Sequence, residues 1–300
     1  MRRKLIRMAG ITSVVSMPKA WIDKHHLQKG QEVELIERPN GMLIQLDMTR
    51  TADSCTIDAS SMDFEAARDH ILAAYVNGYD EIKVEHRMKD SEELMVSLSQ
   101  EMIGFEVSEY RVRRITYRNV GGRSTSSFSL LLRSAFEQTV EFAEDVRSMA
   151  SRQDDELSLK GKAASIKKFI YFAMRMLNQG EEGQRGNVSF HLVVQLKHVI
   201  NQYVTIADLV LASRFRLQKK TLDLMNRTNE LMALVSQPDH SDQALNGLRK
   251  EVNALTRQIL LFRQKSPRLD LQVVSSLLEI VYGEKQFILA QLLLTKHRDL

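Results

Sequence analysis

The sequence predicts a multidomain α+β protein, because three stretches of the chain carry three different patterns. Short apolar runs separated by Gly and Asn fill residues 1–50, and strand and helix patterns alternate over 51–120. From 128 to 300, apolar residues recur every three or four positions, which is the helical period. A chain of 300 residues is also long for a single core. We therefore expect domains at 1–50, 51–120 and 128–300.

The first section is expected to form four short strands around one short helix. Pro18 suits the first position of a helix, so we expect a helix from Lys19 to about Leu27. Asn40-Gly41 stands between two apolar runs and predicts a type I′ hairpin turn there. So small a section buries little apolar surface alone, which favours strands supplied by a second copy. The strands are predicted at 4–8, 13–17, 32–36 and 42–46.

The middle section predicts a small α/β domain. Strands are expected at 55–57 and 81–84, with one or two more between 107 and 120. Helical spacing is found at 64–76 and 92–102. The resulting β-α-β-α-β order is typical of a sheet covered by helices.

The last section is predicted to be entirely helical. Residues 121–127, rich in Gly and Ser, form the expected linker before it. Apolar positions then fall into six segments, which divide into two three-helix units at about 128–213 and 214–300. The breaks between the segments lie near 153–155, 180–186, 214–216, 238–242 and 266–267.

The formal charge of the chain is concentrated at its beginning. Residues 1–50 hold nine Lys/Arg and five Asp/Glu, a surplus of four that equals the net charge of +4 of the whole chain. A local basic surface of this kind suits a polyanion such as DNA, although a solvated basic face is the more common explanation of such a cluster.

Several classes of protein are disfavoured by what the sequence lacks. It contains no Gly-rich phosphate-binding motif and no recognisable nucleophile–base set, so we expect no enzyme and no cofactor. The single cysteine, Cys55, cannot form an internal disulfide. The run after the basic start is too broken for a signal peptide, and no stretch has the length of a membrane-spanning helix. We expect a cytoplasmic protein without membrane insertion.

The beginning of the chain resembles the AbrB/SpoVT/MazE family. A basic strand and a Gly precede the corner Ser16-Met17-Pro18-Lys19-Ala20-Trp21, and Leu27, Gly30 and Val33 complete the family pattern L-x-x-G-x-x-V. Residues 74–82 and 102–107 resemble segments of archaeal proteins that fuse this domain to PhoU-like helices. The six helices then fit two PhoU-like three-helix repeats.

This resemblance implies a swapped-hairpin homodimer that contacts double-stranded DNA through basic strand and loop residues. It also implies a transcription regulator, of phosphate uptake or a related metabolic signal, whose helices receive the signal or a partner. The DNA-contacting positions carried over from the family are Arg2, Arg3, Lys4, Arg7, Thr12, Ser13 and Lys19.

The helical section departs from the PhoU pattern where metal ligands are expected. PhoU repeats bind metal clusters through carboxylates, but Lys167, Lys168, Lys197 and Asn201 occupy corresponding positions here. Ammonium and amide groups do not supply the negative charge that holds a hard cation. We therefore expect no metal; the acidic residues that remain as candidates are Glu251, Glu279 and Glu284.

Two other functions remain open at this point. In the first, residues 1–50 only dimerise the protein, and the helices dock a transporter or a signalling protein without any DNA contact. In the second, the protein stores or senses a metal.

Overall fold

In the computed structural model, the described residues are 3–8, 12–24, 26–38, 41–46, 53–121, 128–152, 157–179, 186–213, 217–237, 240–264 and 266–296. The fold is mixed α+β, as the sequence predicted. The chain divides into two compact units, Met1–Thr51 and Ala52–Leu300.

Unit 1 consists of two antiparallel hairpins and one short helix. Strands β1 (Leu5–Met8) and β2 (Thr12–Val15) form one sheet, and β3 (Val33–Arg38) and β4 (Gly41–Leu46) form the other. Helix α1 (Lys19–Lys24) begins where the Pro18 carbonyl accepts the Trp21 and Ile22 amides. It is shorter than predicted, because His26 has left the helical region with φ of 53°.

The predicted Asn40-Gly41 turn is wrong in its register. Gly41 pairs with Arg38 across the second hairpin, so Gly41 belongs to β4 and the connection consists of residues 39 and 40. Those two residues lie outside the described part of the chain.

Unit 2 begins with a four-stranded sheet. Its elements are β5 (Ser54–Ala59), α2 (Phe64–Val76), β6 (Glu81–His86), α3 (Ser91–Glu101), β7 (Phe105–Arg111) and β8 (Arg114–Asn119). The strand order is β5-β6-β8-β7; β5 and β6 are parallel, and the other pairs are antiparallel. Helices α2 and α3 pack between the sheet and the helical part. The Asp63 carboxylate accepts the Ala66 amide at 2.8 Å and so caps α2.

The rest of the described chain forms six long helices. They are α4 (Phe128–Arg152), α5 (Leu157–Asn178), α6 (Gly186–Ser213), α7 (Lys219–Val235), α8 (Asp242–Arg263) and α9 (Arg268–Lys296). The first three contact one another, as do the last three, and α6 packs along α9 while α4 packs on α7. The predicted breaks lie between these helices, except that the ranges 180–186 and 238–242 each include the first residue of the helix that follows. Within the described residues, no helix has the length and apolarity to cross a membrane.

A buried arginine joins the helical part of unit 2 to its sheet. Arg175 of α5 is only 3% exposed. Its guanidinium donates to the Tyr75 and Tyr79 carbonyls at 2.7 and 2.8 Å and to Asp80 Oδ1 at 2.8 Å. It also lies 4.9 Å from the centre of the Phe105 ring. These contacts hold the turn between α2 and β6 against the helices.

Candidate nucleic-acid interface

The first hairpin brings two of the predicted DNA-contacting residues together. Arg7 of β1 and Ser13 of β2 are directly opposed in the antiparallel register, and both side chains are exposed. Opposed residues of such a pair project from the same face of the sheet. A guanidinium and a hydroxyl side by side can bind successive phosphate oxygens.

The remaining predicted positions surround this pair in the chain. Arg3 and Lys4 directly precede β1 and are exposed. Thr12 pairs with Met8 at the closed end of the hairpin. Lys19 is the first residue of α1 and is exposed. Arg2 lies outside the described residues.

Apolar side chains of unit 1 are exposed on both hairpins. Leu5, 67% exposed, lies opposite Val15, and Leu35, 57% exposed, lies opposite Ile44, which is also exposed. None of the described side chains of unit 1 is fully buried. These paired apolar side chains are exposed to solvent on two-stranded sheets. Neither hairpin therefore has a hydrophobic core of its own.

The three acidic candidates for metal binding do not form a common site. Glu251 is exposed on α8, and Glu279 is exposed on α9 with its carboxylate 3.5 Å from His198 Nε2. Glu284 is fully buried on α9. Throughout the described ranges, no three His, Cys, Asp or Glu side chains are grouped so that they could hold a metal ion.

Glu284 is the most unusual of these carboxyls. Among the described residues, neither of its oxygens has a hydrogen-bond partner, and burial raises its pKa well above the usual range. Burial also raises the pKa of Tyr203, and the nearby carboxyls of Glu284 and Glu144 add to that shift. The Tyr203 hydroxyl donates to Asn229 Oδ1 at 2.8 Å, so the tyrosine is satisfied while the glutamate is not. A neutral, protonated Glu284 is the form that this environment favours.

Two of the lysines that stand where the resemblance predicts metal ligands, Lys167 and Lys197, have different surroundings. Lys197 Nζ lies 4.8 Å from the centre of the Tyr171 ring. Burial lowers the pKa of Lys167, and Arg68 and Lys197 lower it further. The carboxylates of Glu101 and Asp208 offset part of this shift.

Two groups of residues were missed by the reasoning from sequence. Arg175 stands within an apolar stretch of helix, where an arginine could have been recognised as buried and paired. The run Arg111-Val112-Arg113-Arg114 lies within the stretch 107–120, whose pattern predicts strand and does not indicate a ligand site. Val112 and Arg113 form the turn between β7 and β8, and Arg87 lies beside this turn at the end of β6.

Comparison with known proteins returned no relatives: no family model, no curated protein and no solved structure matches the chain. The resemblance to the AbrB/SpoVT/MazE and PhoU families stays a prediction from the sequence.

Proposed function

We propose that the protein is a homodimeric transcription regulator that binds double-stranded DNA through the basic residues of its first hairpin. The observation that carries this proposal is the exposure of paired apolar residues on both hairpins of unit 1, beside an exposed basic set. A second copy would cover the apolar residues, and it would also double the cations available to a duplex.

The arrangement on the first hairpin supports phosphate contact more directly than it supports base reading. Arg7 and Ser13 form one cross-strand pair, and Arg3 and Lys4 extend the cationic chain beyond the strand. Contacts to phosphate fix the position of a protein on DNA, whereas sequence is read from base edges. We therefore assign to these residues the positioning of the dimer on the duplex.

The test is duplex binding by the double variant Arg7→Glu with Lys19→Glu in the full-length protein. Each change replaces a cation by an anion, so we expect at least a tenfold loss of affinity, since two phosphate contacts become repulsive. Fluorescence anisotropy with a labelled duplex at fixed salt measures the affinity. Analytical ultracentrifugation reports whether the variant is still a dimer.

The matched control is Lys250→Glu with Arg257→Glu, which makes the same charge change on exposed positions of α8. It should bind duplex as the wild type does. If the Arg7/Lys19 variant binds as well as this control, the assignment of the first hairpin is wrong.

A second candidate function is that of an adaptor without DNA contact, whose helices dock a transporter or signalling protein. One observation favours it: a depression of about 320 Å³ lies between α8 and α9, lined by Arg249, Asn253 and Leu289 among others. Leu289 and the nearby Leu293 are exposed. For this role, the wild type should show no saturable duplex binding, and Leu289→Lys should abolish capture of such a partner. Saturable duplex binding that is lost in the Arg7/Lys19 variant would count against this role.

A further inference from the structure

A second concentration of cations lies in unit 2, at one edge of the four-stranded sheet. Strands β5 and β6 are parallel, so their carboxyl ends, Ala59 and His86, lie side by side. Strand β8 runs antiparallel to β6, and this brings the β7–β8 turn to the same edge. Ligands of open α/β sheets bind beyond the carboxyl ends of parallel strands.

A depression of about 430 Å³ opens at this edge. That volume falls within the roughly 300–1,000 Å³ of small-molecule sites. Its lining contains four arginines against one glutamate, although the net charge of the chain after residue 50 is zero. The lining residues are Ser60, Glu85, His86, Arg87, Arg111, Arg113 and Arg114.

The four arginines are not equivalent. Arg114 is paired with Glu85 at 2.9 Å, and Arg111 is paired with Glu109 at 2.5 Å. Arg87 and Arg113 are exposed and form no ion pair within 4.0 Å among the described residues. The Arg113 carbonyl accepts the His86 amide at 3.1 Å, which fixes the turn against the end of β6. The guanidinium groups of Arg87 and Arg113 therefore lie at this edge without forming an ion pair with a carboxylate among the described residues.

The carboxylate that faces Arg87 from β5 is already engaged. Asp58 accepts the Ser60 amide at 3.0 Å. Its hydrogen bonds with Ser60 lower its pKa, and the charge of Arg87 adds to that effect. Asp58 itself is absent from the lining of the depression.

The buried ring of His86 supplies a second, independent indication of a ligand. His86 is 1% exposed, lines the depression, and has no well-formed hydrogen bond at either ring nitrogen among the described residues. Burial lowers its pKa, and the backbone of Met88, whose geometry falls short of a formed hydrogen bond, offsets this in part. A neutral imidazole carries one N–H donor, and an unpartnered buried donor costs free energy unless a ligand accepts from it.

We propose that this edge binds a small molecule through a phosphate group, with Arg87 and Arg113 as the charged contacts and His86 as a buried donor. Planar guanidinium groups match the geometry of phosphate oxygens, which is why arginines predominate in such sites. A small ligand suits the depression better than a duplex does, because only a small molecule could enter far enough to accept from the buried His86 ring. This site does not depend on the proposed DNA contact by unit 1.

The experiment is isothermal titration of the full-length protein with inorganic phosphate, pyrophosphate and AMP at one fixed ionic strength. We expect saturable binding of at least one of these probes. Tighter binding of AMP than of inorganic phosphate would identify a phosphate ester as the ligand class, and the reverse order would identify the free anion. Absence of saturable binding by all three would overturn the proposal.

The double variant Arg87→Ala with Arg113→Ala should weaken that binding at least tenfold, since two charged hydrogen-bonding groups are lost. Both positions are exposed, so the fold should survive. The matched control, Lys250→Ala with Arg257→Ala on α8, should bind as the wild type does. Equal binding by the two double variants would overturn the proposal.

Two further readouts separate this site from the DNA interface. Ligand binding should change the imidazole ¹⁵N shifts of His86, because an anion beside the ring favours its protonated form. The Arg87/Arg113 variant should bind duplex normally. If it loses duplex affinity and retains its affinity for the phosphate probes, the cluster is a nucleic-acid contact and the proposal is wrong.

Discussion

At the scale of single residues, two buried polar side chains of unit 2 have opposite energetic roles. Arg175 has its donors directed at three oxygen acceptors and its flat face near aromatic rings. Glu284 has no partner for either oxygen. Removal of the first leaves its partners unsatisfied, whereas removal of the second removes a cost.

Glu284→Met should raise the free energy of unfolding at pH 7 by about 1–3 kcal/mol, since it replaces an unsatisfied buried carboxyl by an apolar chain. The folded pKa of Glu284 is raised, so its proton stabilises the fold fully below the unfolded pKa of about 4.3. This stability is lost as pH rises toward the folded pKa. The advantage of the variant should therefore shrink between pH 7 and pH 4 in urea titrations.

Glu251→Met makes the same substitution at an exposed position and should change stability by no more than about 0.5 kcal/mol. A Glu284 variant that is less stable than wild type at pH 7 would mean that the carboxyl has a favourable partner in solution.

Arg175→Met should lower the free energy of unfolding by about 2–4 kcal/mol, because the buried Tyr75 carbonyl would lose its side-chain donor and Asp80 Oδ1 would keep only Asn119 Nδ2 as a hydrogen-bond partner. Arg118→Met is the control, since Arg118 is exposed and pairs with Glu81 on the open face of the sheet. It should cost no more than about 1 kcal/mol. Equal losses in thermal or urea unfolding would show that the position of Arg175 has no special importance.

Arg175 also explains part of the sequence resemblance in physical terms. The segment that resembles the family, residues 74–82, includes both carbonyls and the carboxylate that Arg175 binds. Gly78 lies between them with φ of 96°, where a side chain would be strained. The sequence showed the motif, but the partner is 95 residues or more away in the chain, and no local pattern reveals so distant a contact.

At the scale of elements, the contact between α6 and α9 depends on a glycine. A Cβ at Gly283 would lie 2.6 Å from Val199 Cγ2, which is too close for two carbon atoms. Gly247 of α8 has nothing within 4 Å of the same position. The two glycines therefore allow helix propensity to be separated from packing.

Gly247→Ala should stabilise the protein by about 0.5–1 kcal/mol, since alanine loses less backbone entropy in a helix. Gly283→Ala has the same advantage in backbone entropy, but the new methyl group must displace the packed side chain of Val199. That displacement costs about 1–3 kcal/mol. We expect Gly283→Ala to be destabilising overall by up to about 2 kcal/mol. Urea unfolding measures both variants, and the same sign of change for the two would contradict this account of the helix contact.

The elements themselves were largely predictable from the sequence, whereas their pairing was less so. Helix periodicity located all six long helices because their buried faces are continuous over many turns. The strand patterns identified both hairpins of unit 1. They did not determine the register of β3 and β4, because a shift of one residue changes every cross-strand pair. Arg38 pairs with Gly41, and this one-residue difference overturned the expected turn. The arginine-lined edge was not predictable, because strands distant in the chain create it.

At the scale of the whole molecule, dimer formation and DNA affinity should depend on different side chains. Leu35→Glu places a charge among the exposed apolar residues of the second hairpin and should shift the protein from dimer to monomer in sedimentation experiments. Duplex affinity should fall with it, because the two sets of cations would separate. Leu234→Glu, an equally apolar exposed position on α7, should leave both properties unchanged. A Leu35 variant that remains dimeric would contradict dimerisation through unit 1.

The salt dependence of duplex affinity should indicate how many phosphates the dimer contacts. The logarithm of the affinity should fall linearly with the logarithm of salt concentration, by about 0.9 for each phosphate neutralised. If Arg7 contacts one phosphate in each copy, Arg7→Ala removes two contacts from the dimer. The slope should then be smaller by about 1.8. Anisotropy titrations at several salt concentrations measure the slope. An unchanged slope would mean that Arg7 does not contact phosphate.

Strand β6 connects two regions of unit 2 that would otherwise be unrelated. The residue before its first position, Asp80, is bound by Arg175 of α5, and its last residue, His86, lines the arginine-rich depression. Six strand residues span about 20 Å at 3.3 Å each. β6 is hydrogen-bonded to β5 on one side and to β8 on the other. An extended strand held in this way cannot lengthen. One strand therefore holds the Arg175 contact and the arginine-lined depression about 20 Å apart.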